Sequence, residues 1–195
     1  MTTNSQAKQL TNSLNLSGII SSRIFWILSF SILTFLSAQV EVPVQPVPFT
    51  LQTMIVLLSG AFLGPVNGAI SQLLYIAAGA LGLPVFAGFG FGLATLLGPT
   101  GGYLAAFPLA AFLVGFLIEK NKSSVMVFIS MLIGTASILF SGALYLSLFV
   151  NGDFQTAFNS GVLIFAWWGL LKTAASASIF ISLKNKYPTL PNREA

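Results

Sequence analysis

The chain has 195 residues, with 8 Lys and Arg, 4 Asp and Glu, and neither His nor Cys. Charged residues make up 6% of it, against about 25% in a soluble domain, apolar residues make up 55%, and the mean hydropathy is +0.90. This composition excludes a cytosolic enzyme, a nucleic-acid binder and a disordered protein, despite a pI near 9.6, and leaves a polytopic helical membrane protein. The lack of Cys and His also excludes disulfides, thiol catalysis, zinc sites and histidine bases, so no cofactor is expected.

Six hydrophobic segments follow one another. Residues 1–22 are rich in Ser, Thr, Asn and Gln and read as a polar tail. The first segment runs from about Ile24 to Val40. Leu36-Ser37-Ala38-Gln39 at its end lacks the small residue a signal-peptidase site needs, so it reads as a retained helix. Pro43-Val44-Gln45-Pro46-Val47-Pro48 is a stiff extended stretch. Segment two, Phe49 to Leu63, is short for a span and is expected to be tilted, irregular or buried among its neighbours. Gly64-Pro65-Val66-Asn67-Gly68 marks a tight turn into segment three, Val66 to Leu83. The uncharged connection Pro84 to Thr100, rich in Gly and Phe, is expected to fold back as a lid or wall. Segments four, five and six are Gly101 to Ile118, Ser124 to Val150 and Phe158 to Leu183, within a membrane domain of residues 23–187, and residues 188–195 form a second tail.

The charges predict the orientation. Lys8 and Arg23 precede segment one, Lys120 and Lys122 lie between segments four and five, and Lys184, Lys186 and Arg193 follow segment six. Six spans put all of these on one side, while Glu41 and Asp153 fall on the other. The positive-inside rule makes the basic side cytoplasmic, with both termini inside. The expected fold is therefore an all-α integral membrane bundle of six transmembrane helices in the cytoplasmic (inner) membrane.

Lys172 is the one charge deep within a segment. It lies 12 residues before Lys184, about 18 Å along a helix. An unpaired Lys at that depth costs about 2.5–3.5 kcal/mol, and no carboxylate lies between Glu41 and Glu119 to pair with it. The functional reading is that an anionic ligand completes the pair. The alternatives are snorkelling, or an amine held by backbone carbonyls. Trp168 and Gly169, four and three residues earlier, share its helix face. Trp168 suits stacking on a flat ligand, or else an interfacial aromatic belt. Thr50, Gln52 and Thr53 in segment two and Asn67, Ser71, Gln72 and Tyr75 in segment three add uncharged polar groups, suited either to a neutral polar ring or to interhelical hydrogen bonding. Small residues recur every four positions at Gly60, Gly64 and Gly68, at Ser130 and Gly134, and at Ala174, Ser178 and Ser182, as tightly packed helices require.

Two look-alike motifs carry nothing. Gly88-Phe89-Gly90-Phe91-Gly92 follows no strand and precedes no acid at dinucleotide-site spacing. Lys172-Thr173 is preceded by Leu171 where a phosphate-binding loop needs Gly. There is no ATP site and no acid–base constellation, so the chain is not expected to be an enzyme.

Val47-Pro48-Phe49-Thr50-Leu51-Gln52-Thr53 and Leu57-Leu58-Ser59-Gly60-Ala61-Phe62-Leu63-Gly64-Pro65 resemble the start of the BioY family, the biotin-binding S components of energy-coupling factor (ECF) transporters. The likeness continues through Leu74-Tyr75, Gly79-Ala80-Leu81-Gly82-Leu83-Pro84-Val85-Phe86-Ala87-Gly88 and Leu97-Gly98-Pro99-Thr100-Gly101-Gly102-Tyr103-Leu104. It implies a six-helix ECF S-component bundle and an outward-facing biotin pocket capped by the loops after segments one and three. It also implies delivery through a transmembrane coupling protein driven by a pair of ABC-type ATPases. Lys172, Gln52 and Tyr75 match positions of the family pattern, and with the residues' own chemistry the candidate ligand-binding set is Lys172, Trp168, Gln52, Tyr75, Gln72, Phe86 and Phe89. Two positions depart from the family pattern. Gly169 stands where the sixth helix typically carries Asp, and Gly90 stands where some members carry Arg. Lys172 is then the sole charge partner for a biotin carboxylate, and a related acid such as dethiobiotin meets the same requirement. The other class of function, a stand-alone secondary transporter of biotin or a related small acid, needs an intramembrane carboxylate or sodium site that the sequence does not display.

Overall fold

A computed structural model describes residues 22–187 and Leu190. The tails expected at 1–22 and 188–195 lie, apart from Ser22 and Leu190, outside the described residues. The chain is mostly helical. Helix α1 (Arg23–Ala38) leads into a hairpin of two short strands, β1 (Glu41–Val42) and β2 (Phe49–Thr50). Then come α2 (Gln52–Ala80), α3 (Gly92–Leu96), α4 (Gly101–Lys120), α5 (Ser124–Leu146), α6 (Phe154–Phe158) and α7 (Ile164–Leu183). A π-helical turn, Asn159–Leu163, joins α6 to α7. By length and apolarity four stretches are able to cross a membrane: Gln52–Ala80, Gly101–Lys120, Ser124–Phe149 and Phe154–Leu183.

Helix α2 is not one straight rod. Gly64 has φ 77° and ψ 179°, and Pro65 follows it. Extended ψ at positive φ is a conformation essentially reserved for glycine. Proline has no N–H to continue the ladder and suits the first position of a new helix. The chain reverses there. Gln52 reaches Tyr75, Gln72 reaches Ser59, and a Cβ built on Gly68 would lie 2.8 Å from the Gly60 Cα. The break is thus one residue, tighter than a five-residue turn, because Val66, Asn67 and Gly68 are already helical. The glycines at 60 and 68 face each other across the hairpin instead of sharing one face of one helix.

Residues 52–63, the short first arm, are the centre of the bundle. Every residue from Val56 to Leu63 is buried. Helix α4 packs on this arm backbone to backbone. A Cβ on Gly60 would sit 2.1 Å from the Ala111 carbonyl oxygen, and one on Gly115 would sit 2.5 Å from Pro65 N. Such contact without side chains is how membrane helices gain packing, since lipid offers no hydrophobic drive for them to associate. Gln72 ties three rods together, accepting from Thr34 of α1 at 3.2 Å and donating to Ser59 and Ser71 at 3.1 Å. The Ala174, Ser178 and Ser182 face of α7 stays exposed.

Lys120, Lys122 and Lys184 gather at the Gly64 end. Lys184 donates to the Lys122 carbonyl at 2.8 Å, and Lys120 lies 4.2 Å over the Phe116 ring. Glu119 approaches Gly64 at this end, whereas Glu41 approaches Gly88 at the other.

Gly64→Ala is expected to destabilise the protein by about 1–3 kcal/mol, the cost of a side chain in this backbone region. Its Cβ would also press on Glu119 Oε1 at 2.9 Å. A lower melting temperature of the purified protein in detergent checks this, and an unchanged one would contradict the hairpin geometry.

Candidate functional site

A cavity of about 230 Å3 opens at the end opposite the Gly64 turn. Six parts of the chain build it. The proline-containing hairpin supplies Val47, Pro48 and Thr50. Its strands pair antiparallel, Glu41 with Thr50 and Val42 with Phe49, so the prolines form a turned-back wall instead of a straight extended stretch. Its Gln45–Pro46 peptide is cis. The start of α2 supplies Gln52 and Thr53, and the connection before α4 supplies Phe86, Ala87, Thr95 and Thr100. Tyr103, Leu104 and Phe107 of α4, Thr135, Ile138 and Leu139 of α5, and Phe165, Gly169 and Lys172 at the start of α7 and along it close the far side. The wall is mainly apolar with a few convergent polar groups, the usual make-up of a small-molecule site.

Lys172 is the one charged residue lining this cavity among the described residues. Its Nζ donates to the Thr50 carbonyl at 2.9 Å. The ammonium is thus held by a backbone oxygen, and no carboxylate shares the cavity wall with it. A backbone carbonyl satisfies one of its three N–H donors.

The remaining site residues expected from the sequence divide by position. Gln52 and Phe86 line the cavity with Lys172. Tyr75 stands behind them. Its hydroxyl accepts from Gln52 Nε2 at 2.6 Å and donates to the Val85 carbonyl at 3.2 Å. Its ring meets Phe86 edge-on, with centroids 5.6 Å apart. Tyr75 therefore supports the wall without forming it. Phe86 is wedged over Gly79, where a Cβ would lie 2.1 Å from the ring. Gln72 lies among α1 and the two arms of α2, away from the cavity wall. Phe89 is 61% exposed on the connection.

Trp168 is 57% exposed and lies outside this cavity. It lines a second groove of about 470 Å3 between the hairpin and α7, shared with Glu41, Met54 and Leu171. The helix period explains the split. Phe165, Gly169 and Thr173 form the inward stripe of α7, and Trp168, Leu171 and Ala175 form the neighbouring one. Lys172 falls between the stripes and lines both spaces. Gly169 opens room at the wall. A Cβ there would make an ordinary contact, 3.5 Å from Thr135 Cγ2, so packing does not demand the glycine. Gly90 stands off the wall, its carbonyl accepting from Phe86 N at 3.0 Å.

Several residues that line or brace the cavity were not singled out as site residues by the sequence. Tyr103 donates to the Gly161 carbonyl at 2.9 Å, where the π-helical turn brings that carbonyl within reach, and its ring packs against Phe165. Thr135 and Thr173 share a buried hydrogen bond of 2.7 Å across α5 and α7. Gln39, at the end of α1, clamps the capping connection. It donates to the Phe86 carbonyl at 3.1 Å and accepts from Phe89 N at 3.1 Å. An isolated Gln after an apolar run gives no hint of a partner nearly 50 residues away.

The model for the BioY family matches residues 5–189. The chain belongs to the BioY family. Among its BioY relatives is the biotin transporter BioY of Thermotoga maritima, 40% identical over 155 residues that cover 80% of this chain and 91% of that one. The probable biotin transporter BioY of Pyrococcus horikoshii is 43% identical over 150 residues, 77% of this chain and 88% of that one. Among solved structures, the S-component for biotin from an ECF-type ABC transporter matches with a TM-score of 0.77 and 29% identity over 95% of each chain.

Proposed function

We propose that this chain is the substrate-capture subunit of a biotin uptake system, an S component that binds biotin in the cavity at Lys172. One observation carries the reading: in a BioY chain, the described residues form a mostly apolar cavity with one ammonium and no carboxylate in its wall. Biotin matches that arrangement. Its carboxylate pairs with Lys172, and its tail and fused ring suit the Phe86, Phe107 and Phe165 surfaces.

The orientation follows from charge. The end that carries Lys120, Lys122 and Lys184 is cytoplasmic, and the cavity at the opposite end faces outward. Six transmembrane segments make up the bundle: α1, the two arms of α2, α4, α5, and the α6–α7 run. They form one membrane domain over residues 23–187, with both termini inside, in the cytoplasmic membrane. The sequence contains no nucleotide-binding motif, so the energy for release comes from partner subunits, an ECF coupling protein and a pair of ATPases. Biotin is the cargo, and no further cofactor takes part.

Equilibrium binding of radiolabelled biotin to the detergent-purified chain tests this. Saturable binding is expected, displaced by unlabelled biotin and not by vitamins lacking a carboxylate. Dethiobiotin in the same competition measures how far the cavity reads the ring. Absence of saturable biotin binding would overturn the reading.

A further inference from the structure

Serine and threonine hydroxyls in helices ordinarily donate to the carbonyl three or four residues earlier. Thr34, Ser59, Ser71, Ser130 and Ser176 all do so in this protein. Thr53 does not. Its Oγ1 is buried and, among the described residues, is the one buried side-chain polar atom without a hydrogen-bond partner.

The local chain explains the exception. Thr53 is the second residue of α2, so the residues three and four positions before it, Thr50 and Phe49, form β2 instead of a preceding helical turn. The Thr50 carbonyl receives the Lys172 ammonium instead. An unmatched buried hydroxyl is destabilising unless something outside the chain completes it.

Thr53 also lines the cavity, as do Thr50 and Lys172. The other polar side chains of that cavity are already engaged. Gln52 holds Tyr75 and Thr50, Thr95 donates to the Phe91 carbonyl, Thr100 donates to the Thr95 carbonyl, and Thr135 is paired with Thr173. We propose that Thr53 is a ligand-binding residue whose hydroxyl donates to the ligand carboxylate alongside the Lys172 ammonium. The proposal rests on the biotin reading and deepens it.

Chemistry favours the carboxylate end. An ionised carboxylate accepts several hydrogen bonds, and one ammonium already tied to Thr50 leaves part of that capacity unfilled. A hydroxyl donor to a carboxylate makes one of the stronger hydrogen bonds available in a dry site. Thr53 follows by three residues Thr50, whose carbonyl holds Lys172. Rotation about χ1 between staggered positions re-aims its hydroxyl without moving the backbone.

The test uses the purified full chain, with biotin and its neutral carboxamide, biotinamide, as probes. Thr53→Val keeps the shape and removes the hydroxyl. It is expected to raise the Kd for biotin about tenfold or more, and that for biotinamide by less than about threefold. Thr53→Ser keeps the hydroxyl and should stay within about threefold of the parent for biotin. The ligand-free melting temperature of Thr53→Val should equal or exceed that of the parent, because the unmatched group is gone. Parental biotin affinity in Thr53→Val would overturn the proposal. So would equal losses for biotin and biotinamide, which would place the hydroxyl elsewhere on the ligand, or a lowered ligand-free melting temperature, which would make its role structural. If the parent protein itself does not bind biotin, the biotin reading fails. If the parent binds and the variants behave alike, only the Thr53 assignment fails.

Discussion

Lys172→Met is expected to weaken biotin binding by about 30-fold or more, since removing one partner of a buried charge pair costs roughly 2–5 kcal/mol. The reason is the setting of the ammonium. Among the described residues it is the one charged group on the mainly apolar wall of this cavity, its hydrogen-bond partner is a neutral carbonyl, and no carboxylate lines the cavity. A biotin carboxylate entering the variant cavity would leave water and gain no counter-charge. Methionine keeps most of the stem and takes a charge out of the membrane, where it costs about 2.5–3.5 kcal/mol. It also leaves the Thr50 carbonyl without its donor, so the two changes offset. The ligand-free melting temperature is therefore expected to move by only a few degrees, and lost binding is not lost folding. Lys120→Ala, at the opposite end over Phe116, should bind biotin like the parent. Biotinamide, with no charge to neutralise, should lose much less affinity than biotin in Lys172→Met. Parental biotin affinity in that variant would remove Lys172 from the site.

Gly60→Val is expected to be strongly destabilising. The new Cβ would stand 2.1 Å from the Ala111 carbonyl oxygen and 2.9 Å from its carbon, both backbone atoms of α4. On another side Gly68 of the returning arm is packed against Gly60 Cα. No rotamer change relieves a clash with backbone, so the central arm must move away from α4 or from its own partner arm. Overpacking costs about 1–3 kcal/mol where side chains yield, and rigid neighbours put this case at or above the upper end. The melting temperature in detergent should fall by roughly 5–10 °C or more, or the protein should fail to fold. Gly169→Ala is the matched control, because its Cβ meets nothing closer than 3.5 Å and should leave the melting temperature where it was. If Gly60→Val melts with the parent, the backbone contact between the central arm and α4 is wrong.

Particular residues show how far the sequence carries. Gly64 and Pro65 are visible as a chain reversal from residue type alone, because only that pair offers a positive-φ position followed by a helix start without an N–H. Lys172 is visible because a charge among apolar residues has a cost that composition reveals. The short segment beginning at Phe49 is expected from its length to be unusual, and it is the buried centre of the fold. The uncharged connection after Pro84 does furnish cavity wall, through Phe86, Ala87, Thr95 and Thr100.

Trp168, Gln72 and Thr53 show the opposite. Trp168 shares a helix face with Lys172 by spacing, yet Lys172 lies on the border of two faces and Trp168 belongs to the outer one. Gln72 and Gln52 are the same residue type on the two arms of one hairpin. One joins helices and the other lines the cavity, and only their partners separate these roles. Thr53 is one of several polar residues in its segment until its neighbours are in place, when it alone among the described buried hydroxyls lacks a partner.

By itself the sequence determined that the protein lives in a membrane, where its chain turns, which end is basic, and which charge stands alone. These follow from composition and residue chemistry, which need no neighbours. Which side chains face one another was decided only by the tertiary structure. In a bundle bathed in lipid, outward and inward helix faces are equally apolar, so the periodicity that separates core from surface in water is nearly silent. Packing of small residues and pairing of the few polar groups break that symmetry, and both are relations between distant parts of the chain.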